Sequence, residues 1–231
     1  MLKDLEKELL NLRNDEKSKL LSRYFKTGKG QYGYGDYFLG ITVPETRKIA
    51  IKFKNIGLDD AEKLLFNKYH EFRLAALLIL VQKFKEANEK TRKEIVDFYL
   101  KNTKYINNWD LVDLSAHKIL GQYLIDKDRS ILYKLSKSKD IWERRISVIS
   151  TFNFIKNNQF EDIINISEIL LKDEHDLMHK AVGWGLREMG KKDNKQLINF
   201  LNKHYKKMSR TMLRYSIEKL PVQQRLFYLK N

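Results

Sequence analysis

The scarcity of helix-breaking residues is the feature that most constrains the fold of this chain. Only two prolines occur, and six of the ten glycines lie between Gly28 and Gly57. Elsewhere apolar residues recur at spacings of three and four, the period of a helix with one buried face. The sequence therefore predicts an all-α protein. The predicted helices span residues 2–24, 44–54, 58–66, 70–85, 89–102, 108–124, 128–136, 140–156, 159–171, 174–190, 193–204, 208–219 and 222–229.

A weak internal repeat refines this prediction. Arg73, Arg145, Lys180 and Arg214 each open a segment of small and apolar residues, at separations of 72, 35 and 34 residues. A recurrence of this length built from helix pairs is typical of HEAT-like or armadillo-like α-solenoids. We therefore predict one repeat domain over residues 1–231, with the repeated basic residues along a concave face. An irregular helical bundle is the alternative.

Composition excludes several classes of function. The chain has 231 residues, of which 42% are hydrophobic and 32% are charged, as expected for a folded soluble protein. It contains no apolar run of about 18 residues, so no membrane span is predicted. Because cysteine is absent, disulfides, thiolate nucleophiles and cysteine-ligated metals are excluded. We expect a cytoplasmic location.

Positive charge is concentrated near the C-terminus. The formal net charge is +15, and residues 191–231 hold 11 basic residues against two acidic ones. Arg210 and Arg214 lie in a stretch without any acidic residue. This pattern predicts a surface that contacts nucleic-acid phosphates with an affinity that falls as salt rises. A solvated basic face without a partner is the alternative.

The glycine–tyrosine segment, residues 26–38, interrupts the helical pattern. Glycines alternate with tyrosines here, after two lysines. We predict a short β-hairpin that presents Lys29, Tyr32 and Tyr34 to nucleic acid, where aromatic rings stack and lysines meet phosphate. A flexible connection between two helices is the alternative. The spacing of a phosphate-binding P-loop is absent.

Trp109 and Asp113 are four residues apart in a predicted helix, so they share one face, one turn apart. Asp113 interrupts an apolar segment, and a buried carboxylate needs a partner. Together with Trp184, these residues can hold a positive charge between a carboxylate and aromatic faces. Spacing alone leaves another interpretation open: both tryptophans belong to the core, and Asp113 pairs with Arg144 or Arg145.

Other candidate chemistry is weaker. His175 and His179 have the i, i+4 spacing of metal ligands, but no third ligand is evident. Nothing in the chain resembles a nucleophile elbow, a Rossmann fingerprint or an EF-hand loop. We therefore predict neither a metal nor a cofactor.

Five sequence blocks together resemble the AlkD-like DNA alkylation repair family, in order and over nearly the whole chain. They are residues 24–30 (YFKTGKG), 38–45 (FLGITVPE), 109–113 (WDLVD), 142–145 (WERR) and 180–188 (KAVGWGLRE). The resemblance implies a HEAT-like helical solenoid whose basic concave face grips duplex DNA. It also implies a monofunctional glycosylase that excises positively charged N3- and N7-alkylated purines without flipping the lesion into a deep pocket.

The resemblance also implies roles for individual residues. Trp109 and Trp184 match the two cleft tryptophans of the family, Asp113 its catalytic aspartate, and Arg145 the arginine that contacts DNA near the lesion. Alkylation weakens the glycosidic bond, and Asp113 would stabilise the oxocarbenium-like sugar and position water. The two indoles would hold the same cationic centre through cation–π contact. The predicted DNA contacts are Lys29, Tyr32, Tyr34, Arg144, Arg145, Lys180, Arg210 and Arg214.

The glycine–tyrosine segment resembles an insertion found in a branch of the superfamily often called AlkF and AlkG. Members of that branch form a β-hairpin near the cleft and bind branched DNA with weak or absent glycosylase activity. We predict a glycosylase for 3-methyladenine and 7-methylguanine type lesions, acting as a cytoplasmic, nucleoid-associated monomer in base-excision repair. A non-catalytic binder of branched or damaged DNA is the first alternative. A solenoid scaffold for an acidic protein partner is the second.

Overall fold

The computed structural model describes residues 1–230, which contain no β-strand. The chain divides into two compact units, Met1–Ser115 and Ala116–Asn231. In the first unit the helices are α1 (Leu2–Asn11), α2 (Asp15–Tyr24), α3 (Val43–Lys52), α4 (Leu58–Leu65), α5 (His70–Glu86), α6 (Glu89–Lys101) and α7 (Trp109–Ser115). In the second they are α8 (Leu120–Tyr123), α9 (Ser130–Ser136), α10 (Ile141–Lys156), α11 (Glu161–Ile169), α12 (Asp176–Lys192), α13 (Asn194–His204), α14 (Arg210–Ser216) and α15 (Val222–Lys230). Short 3₁₀ helices lie at Thr103–Tyr105 and Tyr205–Lys207.

The first unit is organised around α5. This helix packs against α1, α3, α4, α6 and α7. Its first twelve residues, 70–81, are all buried. A helix that is buried on every side must be surrounded by other elements, and the apolar run from Leu74 to Val81 supplies the surface that they cover.

The second unit shows the repeat that the sequence predicted. Helices α10, α12 and α14 pack against one another in succession, while α9, α11 and α13 pack beside α10 and α12. Arg145, Lys180 and Arg214 are each the fifth residue of their helix in this succession. The predicted all-α class built from packed helix pairs is therefore confirmed. That one domain spans residues 1–231 stays a prediction.

Gly183 shows how closely two helices of this succession approach. A Cβ atom at this position would lie 2.6 Å from the Met212 carbonyl oxygen on α14. A carbon atom does not approach an oxygen to which it is not bonded so closely. Only glycine therefore permits the observed packing of α12 against α14. The packing of α12 against α14 therefore depends on the absence of a side chain at Gly183.

Two predicted helices prove to be divided. The predicted helix 2–24 breaks before Asp15 because the Asn14 side chain accepts the Lys17 N–H and caps α2. The Asn14 backbone N–H donates to the Leu39 carbonyl instead of continuing α1. The predicted helix 108–124 ends at Ser115 and resumes at Leu120. None of the described helices is long and apolar enough to cross a membrane.

The predicted β-hairpin in the glycine–tyrosine segment is wrong. Backbone N–H groups of Gln31, Tyr34 and Asp36 donate to carbonyls three residues earlier, which makes successive turns rather than paired strands. Gly30 and Gly35 have positive φ angles of 77° and 91°, which suit turns. Within residues 1–230 the only β-type pairing that this segment makes is an isolated bridge between Tyr37 and Tyr69.

Glu71 fixes the chain that follows this segment. Its buried carboxylate accepts the backbone N–H groups of Leu39 and Gly40 at 2.9 Å and of Ile41 at 3.2 Å. Gly40 has a φ of 87°, and a Cβ there would lie 2.1 Å from the Asn14 carbonyl oxygen. One buried charge thus ties residues 39–41 to α5 and to the start of α2.

Replacing Glu71 by glutamine should destabilise the protein, because an amide presents one oxygen to three backbone donors. We expect the free energy of unfolding in urea to fall by about 2–4 kcal/mol. Glu86→Gln removes the same charge from an exposed ion pair with Lys54 and should have a much smaller effect. Equal losses in the two variants would contradict a structural role for the Glu71 carboxylate.

Candidate functional site

The helix α7 carries the two predicted site residues of the first unit. Trp109 is its first residue and Asp113 lies one turn later. Both side chains are half-buried, so each retains exposed surface. The buried Asn108 precedes the helix, and its side-chain oxygen accepts the Trp109 backbone N–H at 2.9 Å. The structure therefore agrees with the predicted helical spacing, while the roles of both residues stay predictions.

The Trp109 indole is held by aromatic rings from the end of α2. Phe25 stacks on it with centroids 5.0 Å apart and an interplanar angle of 10°. Tyr24 meets it edge-on at 5.9 Å. Phe25 stacks in turn on Phe38, at 4.9 Å. One face of the indole is therefore covered, and its orientation depends on residues that flank the glycine–tyrosine segment.

Beneath these rings lies a buried network of charged and polar side chains, here called the α7 anchor: Asp36, His70, Arg73, Asn108 and Asp110. His70 Nδ1 lies 3.2 Å from Asp36 Oδ2, and its Nε2 lies 2.8 Å from Asp110 Oδ2. Arg73 donates to Asp36 Oδ1 at 2.6 Å, and Asn108 donates to Asp36 Oδ2 at 3.1 Å. The exposed fractions of these side chains are all below a tenth.

The α7 anchor shifts the pKa values of its members. Burial by itself would lower the pKa of His70, but the charge and hydrogen bond of Asp110, with the bond to Asp36, outweigh it and raise that pKa to about 9. Burial would likewise raise the pKa of Asp36, but the bond to His70 and the Arg73 guanidinium hold it below its usual range. His70 is therefore an imidazolium and Asp36 a carboxylate at neutral pH.

Asp113 also affects a buried neighbour. Tyr99 is fully buried, and its hydroxyl lies 2.9 Å from the Ser115 hydroxyl. Burial raises the pKa of Tyr99, the Ser115 hydrogen bond opposes this, and the charge of Asp113 raises it further. Asp113 is therefore close enough to Tyr99 for its charge to affect the ionisation of that buried phenol.

In the second unit, Trp184 lies on α12 and is half-buried. Its ring meets Phe152 edge-on at 4.6 Å, and its Nε1 donates to Glu188 at 3.1 Å. Lys180, one turn earlier, forms an ion pair with Asp176 at 2.6 Å. Trp184 therefore keeps part of its ring exposed while its polar edge bonds within the helix.

The two arginines at the start of α10 have structural contacts. Arg145 is 5% exposed and donates to the Leu177 carbonyl at 2.7 Å. Arg144 bonds the Asp173 carboxylate at 2.7 Å and the carbonyls of Ser138 and Lys139. Contact of either arginine with DNA stays a prediction.

The remaining predicted DNA contacts are largely exposed. Arg210 and Arg214 lie exposed on α14, where Arg210 also donates to the Leu229 carbonyl. In the glycine–tyrosine segment Lys29 is exposed, Tyr34 is 66% exposed, and Tyr32 is half-buried. These side chains are accessible, and their contact with DNA stays a prediction.

The two histidines with metal-ligand spacing serve the local structure of α12. His175 caps the helix by accepting the Leu177 N–H at its ring nitrogen, and His179 bonds the Asp173 carbonyl. Among residues 1–230, no cluster of three or more histidines and carboxylates could hold a metal ion.

The α7 anchor was not among the sites predicted from the sequence. His70, Asp36 and Asp110 are separated by 34 and 40 residues, and no local pattern connects them. Arg73, which the repeat predicts along a concave face, is 5% exposed and bonds Asp36, and its place on such a face stays a prediction. A buried carboxylate requires a cationic or hydrogen-bonding partner, but the sequence does not say which charged residues are buried.

Packed helix pairs with half-buried tryptophans and basic surfaces define an all-helical repeat protein. The sequence profile of the DNA alkylation repair enzymes matches residues 5–220, so the chain belongs to the DNA alkylation repair enzyme family. A solved structure described as a predicted DNA alkylation repair enzyme from Enterococcus faecalis aligns with a TM-score of 0.70 at 15% identity. The alignment covers 91% of this chain and 97% of that one and bears on the fold alone. Among curated proteins, none matches significantly.

Family membership confirms the resemblance found in the sequence. It supports a role in the repair of alkylation damage and indicates DNA as the partner. The specific reaction and the form of DNA that is bound are matters of proposal.

The raised pKa of His70 makes stability depend on pH. Because folding favours the imidazolium, its contribution is complete below pH 6.5 and disappears above about pH 9. We expect the free energy of unfolding to fall by on the order of 3 kcal/mol over this window. Urea unfolding at several pH values, for wild type and His70→Gln, measures it. The other titratable groups are the same in both proteins, so an equal decline in His70→Gln would contradict the assignment.

Proposed function

We propose that this protein is a DNA glycosylase that excises positively charged purines, of the 3-methyladenine and 7-methylguanine type, from duplex DNA. One observation carries the proposal: α7 pairs a half-buried tryptophan with an aspartate one turn away, in a chain of the DNA alkylation repair enzyme family. We further propose that it acts in base-excision repair as a cytoplasmic, nucleoid-associated monomer.

The chemistry requires little beyond charge and position. When the bond between C1′ and an alkylated purine breaks, the purine leaves as a neutral base with the bonding electrons, and the sugar becomes an oxocarbenium-like cation. Water then adds to C1′ and releases a proton. In the proposal Asp113 stabilises the cationic sugar and orients that water. Because the substrate already carries the activating charge, no residue has to protonate the base.

Trp109 is suited to hold the cationic base. A cation placed over an indole face gains about 0.5–2 kcal/mol. Phe25 covers one face of Trp109, so a cation would approach the opposite face. In the proposal Trp184, half-buried on α12, offers a second aromatic surface to the DNA. Because the base loses its charge as the bond breaks, an indole would raise the rate only through contact with the cationic sugar, and about 1.4 kcal/mol of such contact corresponds to about tenfold.

Basic side chains would supply most of the affinity for DNA. The net charge of +15 favours association with a polyanion. Arg210 and Arg214 are exposed on α14 and would contact phosphates without reading sequence. In the proposal Lys29, Lys180, Arg144 and Arg145 add to this contact.

A specific observation favours the alternative of a branched-DNA binder. Tyr24 and Tyr34, at 65% and 66% exposed, flank or lie in the glycine–tyrosine segment beside the exposed Lys29. Exposed aromatic rings with nearby lysines bind unpaired bases and their phosphates. The third candidate, a scaffold for an acidic protein, predicts no release of bases and no preference for DNA.

Release of free 7-methylguanine from methylated duplex DNA tests the proposed reaction. We expect wild type to release it and Asp113→Asn to lose at least about 100-fold in single-turnover rate, because the charge that stabilises the sugar is gone. Asp97→Asn removes an exposed carboxylate from the same unit and should leave the rate unchanged. A folded wild type that binds DNA without releasing bases would favour the branched-DNA binder.

The α14 surface is tested by the salt dependence of DNA binding. Replacing Arg210 and Arg214 by alanine should weaken binding to duplexes of any sequence. The slope of log affinity against log salt should become shallower by about two, since each lost phosphate contact removes about 0.9. Lys3→Ala with Lys7→Ala removes the same charge from exposed positions on α1 and serves as the control. An unchanged slope in the arginine variant would exclude the α14 surface.

A further inference from the structure

The α7 anchor does more than pair charges, because its hydrogen bonds continue to backbone N–H groups of α7. We propose that His70 is a positioning residue for the candidate site: held between Asp36 and Asp110, its imidazolium fixes the start of α7 and thereby the orientation of the Trp109 indole. This inference deepens the proposed function and rests on it for the activity measurement alone.

Two chains of hydrogen bonds lead from His70 to the start of α7. One passes through Asp110, whose second oxygen accepts the Leu111 backbone N–H at 2.8 Å. The other passes through Asp36 to Asn108, which accepts the Trp109 backbone N–H at 2.9 Å. Since these bonds end on the first N–H groups of α7, they fix where the helix begins and in which direction Trp109 leaves it.

A second connection runs through stacked rings. The His70 ring stacks on Phe38 at 4.6 Å and 23°, and lies 5.1 Å from Phe25. Phe25 stacks on Trp109. The imidazolium therefore affects the Trp109 indole by two routes. One is the backbone that carries Trp109, and the other is the Phe25 ring that covers one face of the indole.

Charge balance explains why the proton on His70 matters. Asp36 faces His70 from the glycine–tyrosine segment, Asp110 from α7, and Arg73 from α5. The adjacent Glu71 on α5 directs its carboxylate to backbone N–H groups of residues 39–41. Two carboxylates are thus matched by two cations. Without the His70 proton, one buried carboxylate lacks a counter-charge, and moving α7 or admitting water becomes favourable.

The inference predicts that the environment of Trp109 and the rate of base release follow one titration. Both should be constant while His70 is protonated and should change together as it loses its proton at alkaline pH. In His70→Gln the neutral amide cannot balance the two carboxylates, so the altered environment should be present at every pH. The release rate should fall about 10- to 100-fold, because catalysis is sensitive to small misplacement, with DNA affinity unchanged.

The experiment uses the 231-residue chain and two readouts. The indole ¹H–¹⁵N signals of Trp109, Trp142 and Trp184 are assigned with Trp→Phe variants and followed with pH, together with the His70 ring signals. Single-turnover release of 7-methylguanine is measured on the same samples. His204→Gln is the matched control, because His204 is also buried, bonds the Glu168 carboxylate at 2.8 Å and stacks near Phe200, but lies in the other unit.

The expected result is a Trp109 signal that titrates with His70 in wild type and in His204→Gln, and that is displaced and independent of this titration in His70→Gln. A Trp109 signal that stays constant while His70 titrates would overturn the inference. This comparison needs only wild type, so it decides even where His70→Gln does not fold. Absence of base release from wild type would refute the proposed function, whereas the Trp109 signal would still decide the role of His70.

Discussion

The burial of Asp36 and Asp110 around His70 is the interaction on which the first unit depends. Removing two carboxylates from water is unfavourable unless cations and hydrogen bonds replace the solvent. His70 and Arg73 supply the cations, and Asn108 supplies a further donor. Asp36, His70 and Asp110 come from three separate parts of the chain. The network is therefore complete only when the glycine–tyrosine segment, α5 and α7 are all in place.

This requirement explains the conformation of the glycine–tyrosine segment. A projecting hairpin would carry Asp36 away from His70 and leave buried charge without a partner. Successive turns, with Gly30 and Gly35 at positive φ, bring Asp36 inward while Tyr34 stays exposed. Glu71 continues the same arrangement by binding the N–H groups of residues 39–41. Charge pairing between residues far apart in the sequence thus determines the conformation of this segment, rather than the local pattern of glycine and tyrosine.

The period of apolar residues predicts most of the helices, because an amphipathic helix buries one face whatever its partners are. The helix breaks at residues 12–14 and 116–119 were not predictable in this way, since the break before α2 includes a hydrogen bond from the Asn14 N–H to the distant Leu39 carbonyl. The pairing of Trp109 with Asp113 followed from helical spacing within five residues. The α7 anchor did not, because which charged residues become buried depends on tertiary contacts that no local pattern records.

A basic protein that excises a cationic base, as we propose for this one, would face two opposing electrostatic demands. Affinity for DNA favours positive charge, whereas a cationic substrate is repelled by it. Exposed lysines such as Lys29 contribute to the net charge, while the charges of His70 and Arg73 in the α7 anchor are paired with buried carboxylates. In the proposed reaction, Asp113 and the uncovered face of Trp109 would favour a cation beside this charge-balanced anchor, in a chain whose net charge is +15.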